Sequence, residues 1–85
     1  MKVLIPSPLR SYTGAAEVDA EGSTLGEVIA DLDRRHPGLR FRIVDEQDRM
    51  RPHVRFFVNG AAVSVLSHPL RPTDALVIVP ALSGG

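Results

Sequence analysis

No cysteine occurs in these 85 residues, so disulfides, thiolate metal sites, cysteine nucleophiles and iron–sulfur ligation by this chain alone are excluded. Any sulfur chemistry has to be borrowed from another molecule. Net charge is missing too: ten basic side chains cancel ten acidic ones. That removes the large positive charge that would argue for nucleic acid or a membrane surface. Long apolar runs are absent as well. The amino-terminal Val3-Leu4-Ile5 stops at Pro6, far short of a signal-peptide core or a membrane span. The expectation is a cytoplasmic protein with no nucleic-acid and no membrane partner.

What is present is one core's worth of apolar residues, 44% of the chain. A domain of this size buries a little over roughly 60% of the surface its unfolded chain exposes, so most of them are committed to packing. A large enclosed active site is not expected, and function should sit on the surface or at an end. The charges are unevenly spread. Residues 34–55 hold seven arginines against Asp45, Glu46 and Asp48, which reads either as a solvated face or as a docking surface for an acidic partner.

Val3 and Ile5 alternate with Lys2 and Leu4, and Pro6 and Pro8 mark a strand that ends or lies at an edge, with Leu9 as a possible continuation. Tyr12-Thr13-Gly14 supplies a turn. Ala16, Val18 and Ala20 then alternate with Glu17, Asp19 and Glu21, so an opening hairpin is predicted. Thr24-Leu25-Gly26-Glu27 has the form of a capping box. Leu25, Val28, Ile29 and Leu32 follow at helical spacing until Pro37-Gly38. Leu39 to Val44 fits a short helical turn or a short strand. His53 to Val58 reads as a strand, Asn59-Gly60 as a two-residue hairpin turn, and Ala62, Val63 and Val65 as the return arm. A turn-rich connection, His68 to Asp74, leads to the β-branched strand Ala75 to Val79, which Pro80 ends. The order β-β-α-(short element)-β-β-β predicts an α+β fold with one helix on a mixed sheet. Residues 1–80 form the domain and 81–85 a tail.

Few groups offer chemistry of their own. His36, His53 and His68 are not spaced to share a metal, no metal site is expected, no Ser-His-Asp set suggests itself, and no Gly-rich loop cradles a phosphate. The carboxyl end remains. Five residues past Pro80 reach roughly 17 Å when extended, and Gly84-Gly85 make the tip as thin as a polypeptide can be. A carboxylate resists nucleophiles because of its charge. Adenylylation removes that charge and supplies a leaving group, after which sulfide or a persulfide can form a thiocarboxylate. A plain glycine-rich terminus is the alternative reading.

Several pieces occur in a telling order: Ile5-Pro6…Leu9-Arg10…Thr13-Gly14, then Thr24-Leu25-Gly26-Glu27-Val28-Ile29, then His36-Pro37-Gly38-Leu39. Val54-Arg55-Phe56-Phe57-Val58-Asn59-Gly60 and Ile78-Val79-Pro80-Ala81-Leu82-Ser83-Gly84-Gly85 complete the set. Taken end to end, the chain resembles the ubiquitin-like β-grasp sulfur carriers of the molybdopterin-synthase small subunit and thiamine sulfur-carrier (ThiS/MoaD) family. Its opening segment and helix are most similar to the carrier that feeds a cysteine synthase. The resemblance implies a four- to five-stranded mixed sheet on one main helix. It also implies a protein co-substrate, not an enzyme, with no bound cofactor. An E1-like adenylylating enzyme would use ATP to load sulfur at Gly85, and an acceptor enzyme would receive it: a cysteine synthase-like protein, or a molybdopterin or thiazole synthase. Gly84, Ser83 and Leu82 would give the tail its access. Family members of this type commonly end Val-Ala-Gly-Gly; Leu82-Ser83-Gly84-Gly85 keeps the tip narrow but leaves the partner open.

Alternation also indicates a contact surface. If Val54, Phe56 and Val58 face the core with Leu76 and Ile78, then Arg55, Phe57, Val77 and Val79 point the other way as a partner-binding patch, unless a loop or the 39–44 element covers them. Two other functions compete with sulfur transfer. One is a binding module that docks through Phe57 and the arginine-rich segment; the other is a modifier joined through Gly85 to lysines.

Overall fold

The computed structural model describes residues 1–80, and the expectations for Leu82, Ser83, Gly84, Gly85 and the 81–85 tail lie outside the described residues. Five strands form one mixed sheet: β1 (Lys2–Leu4), β2 (Glu17–Asp19), β3 (Val54–Val58), β4 (Ala61–Val63) and β5 (Ala75–Pro80). Their order is β2-β1-β5-β3-β4. β1 and β5 run parallel, and the other neighbours are antiparallel. Helices α1 (Arg10–Thr13), α2 (Leu25–Arg35) and α3 (Leu39–Ile43) complete the fold.

Helix α2 begins where the sequence says it should. The Thr24 hydroxyl accepts the Glu27 N–H at 3.2 Å. The Glu27 carboxylate reaches back to the Ser23 N–H at 3.0 Å, one residue before the cap itself. One helix-end donor that lacks an intrahelical partner, the Glu27 N–H, is thereby supplied, and the N–H just before the cap is satisfied as well; such caps contribute about 1 kcal/mol. Leu25, Val28, Ile29 and Leu32 are all fully buried against the sheet. At the far end Gly38 turns the chain with φ +96°, and one Asp33 oxygen accepts the N–H groups of Gly38 and Arg40, both at 3.1 Å. That carboxylate fastens α3 to α2.

The segment 39–44 is a helix over Leu39–Ile43. The side chains show why a strand fails there. A strand would put 39, 41 and 43 on one face, whereas Leu39 and Ile43 are buried and Phe41 is 55% exposed, the i, i+4 pattern of a helix. The opening hairpin forms, with Val3 opposite Val18, but its connection is not the expected turn. Leu9 does not continue the strand: it ends a 3-10 turn, Ser7–Leu9, with proline in the first positions, where a missing N–H and a fixed φ are harmless. Tyr12 and Thr13 belong to α1, and Gly14 caps it at φ +70°. The second hairpin matches its signal: Asn59 and Gly60 both adopt positive φ, 49° and 87°, as a type I′ turn requires. Its return arm is shorter than expected. β4 ends at Val63, and Val65 is 55% exposed, its carbonyl accepting the His68 N–H in a turn.

Among the described residues no polar or charged side chain is buried, so the core relies on apolar packing alone. Polar groups act at its margins. Asp74 accepts the Arg71 N–H at 2.8 Å and the Asn59 amide at 2.9 Å, while the Asn59 carbonyl accepts the Ala75 N–H. The 59–60 turn is thus tied to the start of β5. The Arg71 N–H, then the Asn59 amide, hold the Asp74 carboxyl below the ordinary 3.8. Asp31 is lowered first by its bond from Arg34, then by the Glu21 N–H, and Asp45 first by the Arg49 N–H.

Two outcomes follow for stability. A Cβ on Gly22 would lie 2.7 Å from the Val28 nitrogen and 2.9 Å from the Glu27 carbonyl carbon. Because these are backbone atoms of the first helical turn, Gly22→Ala should cost ~1–3 kcal/mol, read from urea unfolding. Depressed aspartate pKa values add stability that is complete above the unfolded value near 3.8 and lost as pH falls through the lower folded values. Thermal midpoints should therefore fall as pH drops below 3.8, and Asp74→Ala should lower the neutral-pH midpoint while flattening that decline.

Candidate functional site

Each strand of the sheet shows two different faces. Val54, Phe56, Val58, Leu76 and Ile78 are buried beneath α2 and α3. Their alternate neighbours Arg55, Phe57, Val77 and Val79 are exposed or half-buried on the opposite side. The register brings all four together: Arg55 pairs with Val79 and Phe57 with Val77 on adjacent strands. The cover considered for this patch is not supplied by 39–44, because Leu39 and Ile43 pack into the core with Phe56 and Ile78. They lie on the other side of the sheet from Phe57 and Val77.

Two members of the patch were not singled out from sequence. Leu4 lies opposite Val77 and is 44% exposed, and Ala62 lies opposite Phe57. Together Leu4, Val77, Phe57 and Ala62 make an apolar row across four strands. Alternation already put Leu4 on this side, since Val3 and Ile5 face the core. The parallel β1–β5 pairing that sets it beside Val77 has no local signal. At one edge the row meets charge, with Glu17 opposite Leu4 and Lys2 reaching Glu17 at 3.6 Å.

Strand β5 ends at Pro80, opposite Val54 at the start of β3. The chain therefore leaves the described fold from the end of the sheet's central strand. A small cleft of about 120 Å³ adjoins this point, lined by Pro6, Pro8, Leu9, Arg42, His53 and Pro80 among others. A more open cleft of about 790 Å³ lies between residues 48–56 and 62–67, and its wall carries Ser64, Ser67 and Asp48 but no histidine. Without a histidine it lacks the base that would activate a serine in a self-contained hydrolase. Among the described residues no cluster of three or more His, Cys, Asp or Glu could hold a metal.

The sequence matches the model of the ThiS family over residues 3–85. The chain belongs to the ThiS family. This ThiS-family chain is 36% identical over 89 residues to the sulfur carrier protein CysO of Mycobacterium tuberculosis, covering 98% of the chain and 96% of that relative. Its fold matches CysO in the Amycolatopsis orientalis BexX/CysO complex with a TM-score of 0.90 and 35% identity, over 99% of this chain and 98% of that one. A similar fold is found in SAMP1, a small archaeal modifier protein of Haloferax volcanii, at TM-score 0.79 and 27% identity, over 100% and 98% of the two chains. The ubiquitin-like β-grasp fold expected from the sequence is therefore the fold of this ThiS-family member. The CysO relatives it matches are named sulfur carrier proteins. No helix among its described residues is long and apolar enough to cross a membrane.

The two-faced strands make a direct comparison possible. Phe56→Ala removes a buried ring and should cost ~3–5 kcal/mol. Phe57→Ala, one residue on, removes a half-buried ring paired with Val77 and should cost about 1 kcal/mol. Chemical denaturation of the two variants checks the ratio.

Proposed function

We propose that this chain is a protein co-substrate for sulfur transfer, with the Gly85 carboxylate as the group that is activated and unloaded. The observation that carries this reading is the family match, which runs to residue 85 in a chain whose CysO relative is named a sulfur carrier. Within the described residues nothing competes for the chemistry: no side chain is both buried and polar, and the shifted carboxylates hold structural hydrogen bonds.

An E1-like adenylylating enzyme supplies the activation. A carboxylate oxygen of Gly85 attacks the α-phosphorus of ATP, pyrophosphate leaves, and the acyl carbon becomes electrophilic. Hydrosulfide then attacks that carbon, AMP departs, and a thiocarboxylate remains. Residues 1–80 serve as the address, with Arg55, Phe57, Val77, Val79 and Leu4 meeting the partner, while Leu82 and Ser83 act as spacer and Gly84 gives access. A cysteine synthase-like enzyme is the acceptor this reading favours; a molybdopterin or thiazole synthase fits the same chemistry. The A. orientalis CysO forms a complex with BexX, which supports delivery by direct docking on a partner protein.

A second reading is favoured by the likeness to SAMP1, named a modifier. Here an activated Gly85 is passed to a lysine amine and forms an isopeptide bond. Both readings share the activation step and part at the nucleophile. With ATP, sulfide and an adenylylating enzyme from the same organism, the intact chain should gain the mass of one oxygen-for-sulfur exchange, and a chain lacking Gly85 should gain nothing. Lysine adducts in cell extract, with no thiocarboxylate, would select the modifier reading instead.

A further inference from the structure

The seven arginines between residues 34 and 55 are divided by the fold into two groups. Arg34 and Arg35 bond Asp31 at 2.7 and 2.8 Å, Arg40 is paired with Asp48, and Arg49 lies 3.4 Å from Asp45. Among the described residues Arg42, Arg51 and Arg55 have no carboxylate partner, and neither does Arg10. These four gather at one end of the molecule.

That end is where β5 finishes. Pro80 lies opposite Val54, and Val79 opposite Arg55. Arg42 and His53 line the cleft that also contains Val79 and Pro80. The same two residues line a second cleft with Phe41, Glu46 and Arg51. Because β1 runs parallel to β5, its exit at Ile5 is at this end too, and Arg10 Nε donates to the Ile5 carbonyl at 3.0 Å. One carboxylate, Glu46, lines the second cleft, and it forms no ion pair with another described residue.

Three of the guanidinium groups are held in place through single contacts to backbone carbonyls. Arg51 Nε donates to the Phe41 carbonyl at 2.7 Å while its guanidinium carbon stands 4.7 Å from the centre of the Phe41 ring. Arg55 donates to the Pro52 carbonyl at 3.3 Å, and Arg10 to Ile5 as above. A guanidinium has five donors, so each retains several for another molecule. Fixing the fork beforehand reduces the rotamer entropy lost when a carboxylate is bound.

We propose that Arg10, Arg42, Arg51 and Arg55, with His53, form a preorganised cationic rim around the root of the tail that recognises carboxylates bordering the tail channel of a partner protein. The claim rests on the sulfur-carrier reading and deepens it by stating the chemistry of the partner's surface. A protein fits better than a nucleic acid because the rim adjoins the apolar row Leu4, Val77 and Phe57 through Arg55 and Val79. An apolar centre beside charged residues has the composition of a protein interface, and the chain as a whole carries no net charge to attract polyanions. Carboxylates at the channel mouth would steer this end of the carrier inward first, giving an association rate that depends on salt.

Surface plasmon resonance of the full chain against the adenylylating enzyme from the same organism tests the proposal. Arg42→Glu/Arg51→Glu should slow association about tenfold or more at low salt and flatten the salt dependence. Arg71→Glu, at the opposite end beside Asp74, should change neither. Arg42→Gln/Arg51→Gln, with thermal melts matched to the wild type, separates loss of charge from loss of folding and should give an intermediate slowing. In a parallel NMR titration, an acidic peptide of alternating glutamate and leucine should shift amides near residues 42, 51–55 and 79. An unchanged association rate and salt slope in both double variants, an equal effect from Arg71→Glu, or tighter binding of a uridine oligonucleotide than of the peptide at these amides would each overturn the rim. Sulfur loading by mass without arginine dependence rejects the rim alone, and arginine-dependent binding without loading rejects the sulfur-carrier reading alone.

Discussion

The parallel pairing of β1 with β5 is the constraint on which the rest of the fold depends. Two short segments from opposite ends of the sequence, Lys2–Leu4 and Ala75–Val77, lie side by side in register. Pairing of this kind closes a long loop, and each residue gains less than in an antiparallel ladder. The loss is offset on the core face, where Val3 and Leu76 stand opposite each other with no exposed surface. With β5 central, β3 and β1 take its two flanks and α2 can cover a continuous apolar floor. The outer face gains its apolar row by the same pairing, so the core and the outer apolar row share one register.

Placing the chain's exit at the end of the central strand has an electrostatic counterpart. Asp31, Asp45 and Asp48 satisfy arginines on the helices and the 45–50 loop. Among the described arginines left without carboxylates, Arg10, Arg42, Arg51 and Arg55 lie where β5 stops, and Arg71 lies before its start. A surface ion pair contributes little to stability, roughly 0–1 kcal/mol. The consequence of this division is therefore for recognition, since it decides which guanidinium groups stay available.

The parts of the fold that local chemistry dictates are legible in the sequence. Thr24 and Glu27 announced the start of α2, the spacing of Leu25, Val28, Ile29 and Leu32 gave its buried face, and Asn59-Gly60 announced a type I′ turn. Alternation placed Arg55, Phe57, Val77 and Val79 together correctly. Other features were settled by contacts distant in sequence. Leu9 fits a strand by alternation, but a 3-10 turn starting at Ser7, with Pro8 in its second position, carries it into the core. Leu39 to Val44 was ambiguous until its burial pattern was known. No pattern within Lys2–Leu4 names β5 as its neighbour, and no count of charges tells which arginines Asp31 and Asp45 hold. The family resemblance supplied the topology that the local signals could not.

The alternation of the central strands has an evolutionary reading as well. Positions 54, 56, 58, 76 and 78 answer to the interior, and positions 55, 57, 77 and 79 to the outer face. The two sets interleave in sequence yet face opposite sides of the sheet, so a substitution in one leaves the side chains packed against the other face in place. A lineage could therefore rewrite every second residue of two strands, and with them the outer surface, while keeping the buried face that holds the fold.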